Sequence, residues 1–161
     1  MKCAIGLGSN WHYPLVQIIK ALTILRQDHA FKLITHSSLY QSFPSECYLP
    51  QPEYLNIVVI GDSVLEAPCL LQSLQAIERR LGRTPARTIQ SYYPRVIDCD
   101  LLWMEHYQST SVELTLPHPG IVKRDFVYYP FCELLPNQLI DGDAPLKLST
   151  TRIISPNPIG F

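Results

Sequence analysis

The segment YYPRVIDCDLLWM, residues 92–104, combines the Val, Ile, Leu and Trp of a buried β-strand with an arginine and two aspartates. Side chains two apart on a strand share a face, so Asp98 and Asp100 point the same way. The opposite face, which we expect to point into the core, holds Ile97, Cys99 and Leu101. Because a buried carboxylate costs free energy unless a cation or several donors receive it, this strand needs a partner for its charges.

Upstream, the hydrophobic pattern predicts a strand, a helix and two more strands. KCAIGLGS (residues 2–9) is typical of a short strand, and Pro14 suits the first turn of a helix. FKLITHSSLYQS (31–42) and YLNIVVIGD (54–62) are then strands, and we expect the second to end at its Gly-Asp pair. The apolar stripe of the helix is Leu15, Ile18, Ile19, Leu22 and Leu25.

A second helix precedes the strand of residues 92–104. Its apolar residues are spaced four, three and four apart between Leu70 and Leu81, and Gly82 stands where a left-handed residue ends a helix. The order is therefore βαββαβ. We predict an α+β, ferredoxin-like core in which two helices cover an antiparallel sheet.

The pattern weakens after Met104. GIVKRDFVYYPFCELLP (120–136) is typical of one short helix and a turn, and the tail after Asp141, with three prolines, is typical of an irregular segment. We find no repeat, low-complexity tract or linker, so we expect a single domain over residues 1–161.

Composition limits the classes of partner. Hydrophobic residues make up 47% of the chain and the formal net charge is -1, so no general attraction for nucleic acid or for an anionic membrane is expected. Five cysteines without C-x-x-C spacing argue against a disulfide framework and a zinc site. The N-terminus is apolar too briefly for a signal peptide, so we expect a cytoplasmic protein.

The aspartate pair predicts a magnesium site. Two adjacent carboxylates repel each other unless a cation lies between them, and Mg²⁺ accepts such ligands while keeping water and substrate phosphates in its shell. From the residues alone, an edge-strand pair that forms salt bridges with nearby arginines is the alternative. Basic residues suited to a polyphosphate stand at Arg83, Arg87, Arg95, His118, Lys123 and Arg124.

Other motifs are weaker. GLGSN (6–10) lacks the third glycine of a dinucleotide site and the G-K-[ST] of a P-loop. Gln75 and Glu78 share a face of the second helix, where either a nucleotide or solvent is a suitable neighbour. Tyr54 and Phe126 suit either the core or stacking on a flat heterocycle, and Asn56 shares a strand face with Tyr54.

Five segments occur in the order and approximate spacing of a known family: GLGSN (6–10), YLNIVV (54–59), IERRLGR (77–83), PRVIDCDLL (94–102) and LPHPGIVKRDFVYYPFCELLP (116–136). Nearly all of the chain up to Pro136 resembles 6-hydroxymethyl-7,8-dihydropterin pyrophosphokinase, a folate-pathway enzyme family. The resemblance implies a ferredoxin-like core that transfers the pyrophosphoryl group of ATP to the hydroxymethyl oxygen of the pterin, yielding AMP.

The resemblance also implies roles for individual residues. Asp98 and Asp100 match the carboxylates that bind two Mg²⁺ ions, and Arg83 and Arg95 match catalytic phosphate contacts. The residues implied along the nucleotide are Gln75, Glu78, Arg87, Leu101, Thr115, His118 and Arg124. Those implied around the pterin are Ser42, Phe43, Tyr54, Asn56 and Phe126.

Two positions depart from the family pattern. Tyr93 stands where the family usually has Gly, and Pro85 stands where it commonly has another arginine, for which Arg87 is a candidate substitute. These departures motivate a second hypothesis, a non-catalytic relative that binds pterin or nucleotide with impaired loop closure. A third is an RNA-binding module, because such modules share the βαββαβ plan; the near-neutral charge argues against it. A monomer with ATP and the pterin as its partners is expected.

Overall fold

The computed structural model describes residues 1–44, 50–83, 93–138 and 151–155. Within these ranges the strands are β1 (Lys2–Ser9), β2 (Phe31–His36), β3 (Leu39–Ser42), β4 (Tyr54–Ser63), β5 (Asp98–Met104), β6 (Ser109–Thr110), β7 (Thr115–Leu116) and β8 (Thr151–Ser155). The helices are α1 (Pro14–Gln27), α2 (Ala67–Arg80), α3 (Gly120–Lys123) and α4 (Asp125–Leu134).

One antiparallel sheet organises the fold. Its strands run in the order β5-β1-β4-β3-β8, and β2 also pairs with β4. The predicted α+β, ferredoxin-like βαββαβ core is confirmed, with its last strand, β5, beside β1. Helices α1 and α2 enclose the larger apolar core on one face. The prediction of two covering helices was incomplete, because α3 and α4 pack a second cluster against the opposite face.

Residues 31–42 form two strands, where the sequence predicted one. His36 lies opposite Val59, and Tyr40 lies opposite Asn56. The chain therefore advances four residues from His36 to Tyr40 while β4 advances three, which leaves one extra residue at the break. The Ser37 hydroxyl accepts a hydrogen bond from the backbone N–H of Val58 at 3.0 Å and so replaces the backbone partner lost at the break. Such an extra residue reverses the in-out alternation, which makes a single strand pattern unreadable.

Gly61 lies inside β4 and does not end it, contrary to the prediction. The strand continues to Ser63, with Gly61 paired with both Cys3 and Leu33. A Cβ atom at Gly61 would stand 2.7 Å from Cε2 of Phe31 and 2.8 Å from the carbonyl oxygen of Lys32. The glycine is thus required by the close approach of a buried ring and not by a turn.

We therefore expect Gly61→Ala to lower the free energy of unfolding by about 2 kcal/mol, because the added methyl group displaces Phe31 from a packed core. Urea denaturation measures the effect. Gly82→Ala is not a suitable control, since Gly82 has a φ of 98°. Equal stability of Gly61→Ala and the wild type would contradict this packing.

Helix α1 is rotated from its predicted orientation. Leu15 and Ile19 of the predicted stripe are exposed to 36% and 38%, whereas Ala21 is fully buried. Ile18, Leu22 and Leu25 are buried as predicted. The face of α1 that points into the core is therefore formed by these three residues and Ala21. No helix in the described ranges combines the length and apolar character needed to cross a bilayer.

The C-terminal part contains more structure than the sequence indicated. The segment predicted as one short helix and a turn forms two helices, α3 and α4, with Pro130 inside α4. The tail predicted to be irregular contributes β8, which pairs with β3. Each of these elements is short. Helices α3 and α4 cover the sheet and β8 extends it, so their hydrophobic patterns depend on contacts with the sheet.

Cysteine reactivity provides a test of the core. Burial raises the pKa of the Cys3 thiol to about 12 and that of the Cys99 thiol well above its ordinary value, whereas Cys69 is exposed. At pH 8 we expect iodoacetamide to alkylate Cys69 rapidly and Cys3 and Cys99 only after unfolding, since the thiolate is the reactive form. Peptide mapping by mass spectrometry measures each rate, and labelling of Cys3 as fast as Cys69 would contradict the assignment.

Candidate active site

The two aspartates of β5 share one face of the sheet, as predicted. Cys99 between them is buried, and the Asp98 side chain is 25% exposed. Asp98 lies opposite Gly8 of β1, and Asp100 lies opposite Gly6. Neither glycine carries a side chain, and Cδ1 of Leu102 lies 3.3 Å from where a Cβ atom of Gly6 would stand. We call the half-buried strip at Gly6 and Gly8 the glycine floor, with Leu102 packed over Gly6.

Two guanidinium groups converge on Asp98. Nη1 of Arg83 lies 3.1 Å and Nη1 of Arg95 lies 3.0 Å from the same oxygen, Oδ1. Burial raises the pKa of Asp98 above its ordinary value, and the two arginines oppose that rise. Burial lowers the pKa of Arg83, but Asp98 and Glu78 outweigh it and hold that pKa above its usual range. Arg83 therefore stays positively charged at neutral pH.

Arg83 reaches the strand because of how α2 ends. The N–H of Gly82 bonds to the carbonyl oxygen of Arg79 at 3.1 Å, and the N–H of Arg83 bonds to that of Glu78 at 2.9 Å. These are the two bonds of a Schellman motif, which requires the positive φ of Gly82. The predicted C-terminal glycine therefore does more than end the helix: it turns Arg83 back toward Glu78 and β5.

Glu78 is buried and pairs with other protein groups. Solvent, one of the two neighbours considered for it from the sequence, is therefore wrong. Glu78 is 6% exposed, and Oε1 accepts a hydrogen bond from the N–H of Cys99 at 2.8 Å and pairs with Nη1 of Arg83. Burial raises the pKa of Glu78, and the Cys99 N–H and Arg83 oppose that rise. Glu78 thus caps the outer edge of β5 and holds Arg83 beside Asp98.

Ser9 and Asn10 position Arg95, a role that sequence reasoning missed. The Ser9 hydroxyl donates to the carbonyl oxygen of Val96 at 2.6 Å, and Oδ1 of Asn10 accepts from the N–H of Arg95 at 2.6 Å. Nδ2 of Asn10 donates to the carbonyl oxygen of Pro52 at 3.1 Å. The signal was present as GLGSN, a polar pair directly after a strand, but it was considered only as a phosphate cradle.

His118 interacts electrostatically with Asp100 and with Arg124. Nδ1 of His118 accepts a hydrogen bond from the N–H of Gly120 at 2.9 Å, so the neutral ring carries its proton on Nε2. Burial lowers the pKa of His118, Asp100 opposes the shift and Arg124 adds to it. The ring is therefore a neutral donor at pH 7, within the electrostatic reach of Asp100.

A second group of predicted residues lies across the glycine floor. Asn56 is opposite Gly8 and donates from Nδ2 to the Ser42 hydroxyl at 3.0 Å. A Cβ atom at Gly8 would lie 3.0 Å from Oδ1 of Asn56, which places that amide over the floor. Phe126 packs against the smaller apolar cluster with the Arg124 guanidinium 6.0 Å from its ring centroid, and Phe43 is 56% exposed.

Residues 4–136 match the model of the 7,8-dihydro-6-hydroxymethylpterin-pyrophosphokinase (HPPK) family. The chain belongs to the HPPK family. It is 38% identical over 133 residues to a 2-amino-4-hydroxy-6-hydroxymethyldihydropteridine pyrophosphokinase of Porphyromonas gingivalis, covering 82% of this chain and 89% of that relative. A Haemophilus influenzae protein of the same name is 33% identical over 159 residues and covers 96% of this chain and 97% of its own.

Some HPPK relatives are much longer. The mitochondrial folate synthesis bifunctional protein of Pisum sativum is 37% identical over 142 residues, which is 88% of this chain but only 26% of that protein. This chain thus spans about a quarter of the plant relative. A crystal structure of a Plasmodium falciparum HPPK-DHPS protein has a TM-score of 0.63 and 13% identity, covering 87% of this chain and 42% of that one. That likeness supports the fold.

The carboxylates of this HPPK chain fit a magnesium ion. Both arginines use Oδ1 of Asp98, so among the described residues Oδ2 of Asp98 and both oxygens of Asp100 have no side-chain partner. In the described ranges, no three or more His, Cys, Asp or Glu side chains are arranged so that they alone could hold a metal ion. A cation bound here would complete its shell with water and substrate oxygens, which is the coordination that Mg²⁺ favours.

The structure does not bring every predicted residue to this floor. Gln75 is exposed on α2, and the hydroxyl of Thr115 donates to the carbonyl oxygen of Ser111 at 3.1 Å. The Leu101 side chain is 2% exposed within the larger core, so only its backbone is available to a nucleotide. Arg87 lies outside the described residues. The nucleotide roles of these four remain predictions.

Proposed function

We propose that this chain transfers the pyrophosphoryl group of ATP to the hydroxymethyl oxygen of 6-hydroxymethyl-7,8-dihydropterin, giving AMP and the pterin diphosphate in folate biosynthesis. The observation that carries this proposal is the half-buried glycine floor, with Asp98, Asp100 and two arginines on one side and Asn56 and Ser42 on the other. Membership of the HPPK family supports the same reaction.

The arginine side of the site would bind the triphosphate. The Arg83 guanidinium is held by Glu78 and Asp98, and that of Arg95 is held by Asp98, before any ligand arrives. The positive charge is therefore already gathered beside the carboxylates. His118 and Arg124 would contact the phosphates from the other side of Asp100. The hydroxymethyl oxygen forms a bond to the β-phosphorus as the bond from that phosphorus to the oxygen of AMP breaks, and the hydroxyl proton leaves to solvent.

Asp98 and Asp100 would hold two Mg²⁺ ions. Bound Mg²⁺ would neutralise developing charge on the phosphoryl oxygens and polarise the substrate hydroxyl. The protein's own part is to keep two carboxylates on one strand face with free oxygens, beside arginines that balance their charge.

The Asn56 side would bind the pterin. An amide presents both a donor and an acceptor, which suits the edge of a pterin, and the Ser42 hydroxyl fixes its orientation through Nδ2. Tyr54 and Phe126 would stack on the two faces of the ring, and the backbone near Phe43 would close the pocket.

The proposal is tested by incubating the purified protein with ATP, Mg²⁺ and the hydroxymethyl dihydropterin. We expect AMP and pterin diphosphate in equal amounts, resolved by ion-exchange chromatography. Formation of ADP and a pterin monophosphate would contradict pyrophosphoryl transfer. Tight calorimetric binding of both substrates without AMP would identify the non-catalytic relative that Tyr93 and Pro85 motivated.

We also propose a cytoplasmic monomer of one domain, as the sequence suggested. The pea relative bears the name of a mitochondrial protein. Size-exclusion chromatography with light scattering tests the monomer, and a filter-binding assay with a single-stranded RNA tests the expectation that nucleic acid is not a partner.

A further inference from the structure

Glu133, in the last turn of α4, accepts three hydrogen bonds from Ser38, just before β3, and Tyr40, within β3. Its Oε1 accepts from the N–H of Ser38 at 2.8 Å and from the Ser38 hydroxyl at 2.9 Å. Its Oε2 accepts from the Tyr40 hydroxyl at 2.8 Å. A carboxylate whose two oxygens are both engaged fixes the distance between the two elements that it joins.

The strand held by Glu133 continues directly into the proposed pterin site. Tyr40 lies opposite Asn56 on β4, and Ser42, two residues further along β3, shares its face and accepts the Asn56 amide at 3.0 Å. Tyr40 is 6% exposed, so its ring is packed beside this group. Any shift of β3 relative to α4 would be passed to the hydroxyl that orients Asn56.

The other end of α4 carries the aromatic side of the pocket. Phe126 lies in the first turn, seven residues before Glu133, which is two turns and about 10 Å along the same side of the helix. Phe126 and Ser42 are thus on two different elements, and Glu133 links those elements.

We propose that Glu133 is a positioning residue for pterin binding: it holds α4, with Phe126, at a fixed separation from β3, with Ser42. The inference rests on the proposed function for the identity of the ligand. Glu133 itself belongs to the exposed residues, so it is not needed to fill the core.

The test is steady-state kinetics of Glu133→Ala. We expect the pterin KM to rise about tenfold, the order of effect of a lost hydrogen bond to a charged group, with kcat and the ATP KM changed by less than about twofold. Glu133→Gln should restore most of the affinity, because its amide oxygen still accepts from Ser38. Glu113→Gln, at another exposed glutamate, is the matched control and should leave all constants unchanged.

Tyr40→Phe is the second variant, for use if Glu133→Ala fails to fold. It removes one of the three bonds and keeps the ring, so a rise in pterin KM of about threefold is expected. Burial raises the pKa of Tyr40, and the bond and charge of Glu133 raise it further. In Glu133→Gln the Tyr40 phenol should therefore ionise at lower pH, measured as the ultraviolet difference titration against Tyr40→Phe.

An unchanged pterin KM in Glu133→Ala would overturn the role of Glu133 while leaving the proposed reaction intact. If the wild type made no AMP, the proposed reaction would fail, and calorimetry with the hydroxymethyl dihydropterin would still decide the role of Glu133. Equal dissociation constants for wild type and Glu133→Ala would overturn it, and about tenfold weaker binding would support it.

Discussion

Asp100→Asn is expected to lower kcat by about a thousandfold while the protein stays at least as stable as the wild type. The activity falls because one of the two carboxylates proposed to hold Mg²⁺ against the phosphates is lost. Stability is maintained because no described side chain forms a hydrogen bond or ion pair with Asp100, and because its attraction to Arg83 is offset by its repulsion of Asp98. Steady-state AMP formation and urea denaturation of the same preparation measure both effects.

Asp98→Asn should have a lower free energy of unfolding than Asp100→Asn. It loses as much activity, but it also removes the partner of both Arg83 and Arg95, so the free energy of unfolding falls. Asp62→Asn, on the exposed end of β4, is the matched control and should change neither property. An Asp100→Asn variant that kept more than about a tenth of the wild-type kcat would contradict the metal role assigned to this carboxylate.

Glu78→Ala is expected to lower both stability and activity. The Glu78 side chain is 8% exposed, and its loss leaves the N–H of Cys99 without an acceptor and Arg83 with Asp98 as its one remaining side-chain partner among the described residues. We expect the free energy of unfolding to fall by about 2 kcal/mol, with kcat lowered by about a hundredfold because Arg83 is held less firmly in place.

Two further variants interpret that result. Glu78→Gln keeps an oxygen for the Cys99 N–H but not the negative charge for Arg83, so it should recover more stability than activity. Glu66→Ala, an exposed acid that makes no capping hydrogen bond at the other end of α2, is the control. Full activity in Glu78→Ala would show that Arg83 does not depend on Glu78.

The features that sequence predicted well are those set by local geometry. The Asp98 and Asp100 pair follows from strand alternation, and the end of α2 at Gly82 follows from the conformational freedom of glycine. Each of these two features depends only on residues close in sequence, within one helical turn or two positions along a strand.

The features that sequence did not predict depend on distant partners. The break between β2 and β3 exists because Ser37 bonds to Val58, and Gly61 is needed because Phe31 packs against it. Glu78 was uncertain for the same reason: its position on α2 does not show that the edge of β5 lies beneath it. The sequence of residues 151–155 likewise does not show that this segment pairs with β3.

The resemblance to a known family contributed the roles and not the supporting contacts. It implied that Arg95, Asn56 and Ser42 meet ligands, whereas the structure adds Asn10, which accepts from the backbone N–H of Arg95, and shows that the Ser42 hydroxyl accepts the Asn56 amide. The sequence thus predicted the side chains proposed to contact ligands, but not the residues that hydrogen-bond to them.

A crystal structure with α,β-methylene-ATP, Mg²⁺ and the hydroxymethyl dihydropterin tests the central claim most directly. We expect carboxylate oxygens of Asp98 and Asp100 at about 2.1 Å from Mg²⁺, with Arg83 and Arg95 turned toward the phosphates and Asn56 at the edge of the pterin. A structure in which the nucleotide is bound, but both carboxylates bond only to protein groups and touch no metal, would contradict the account.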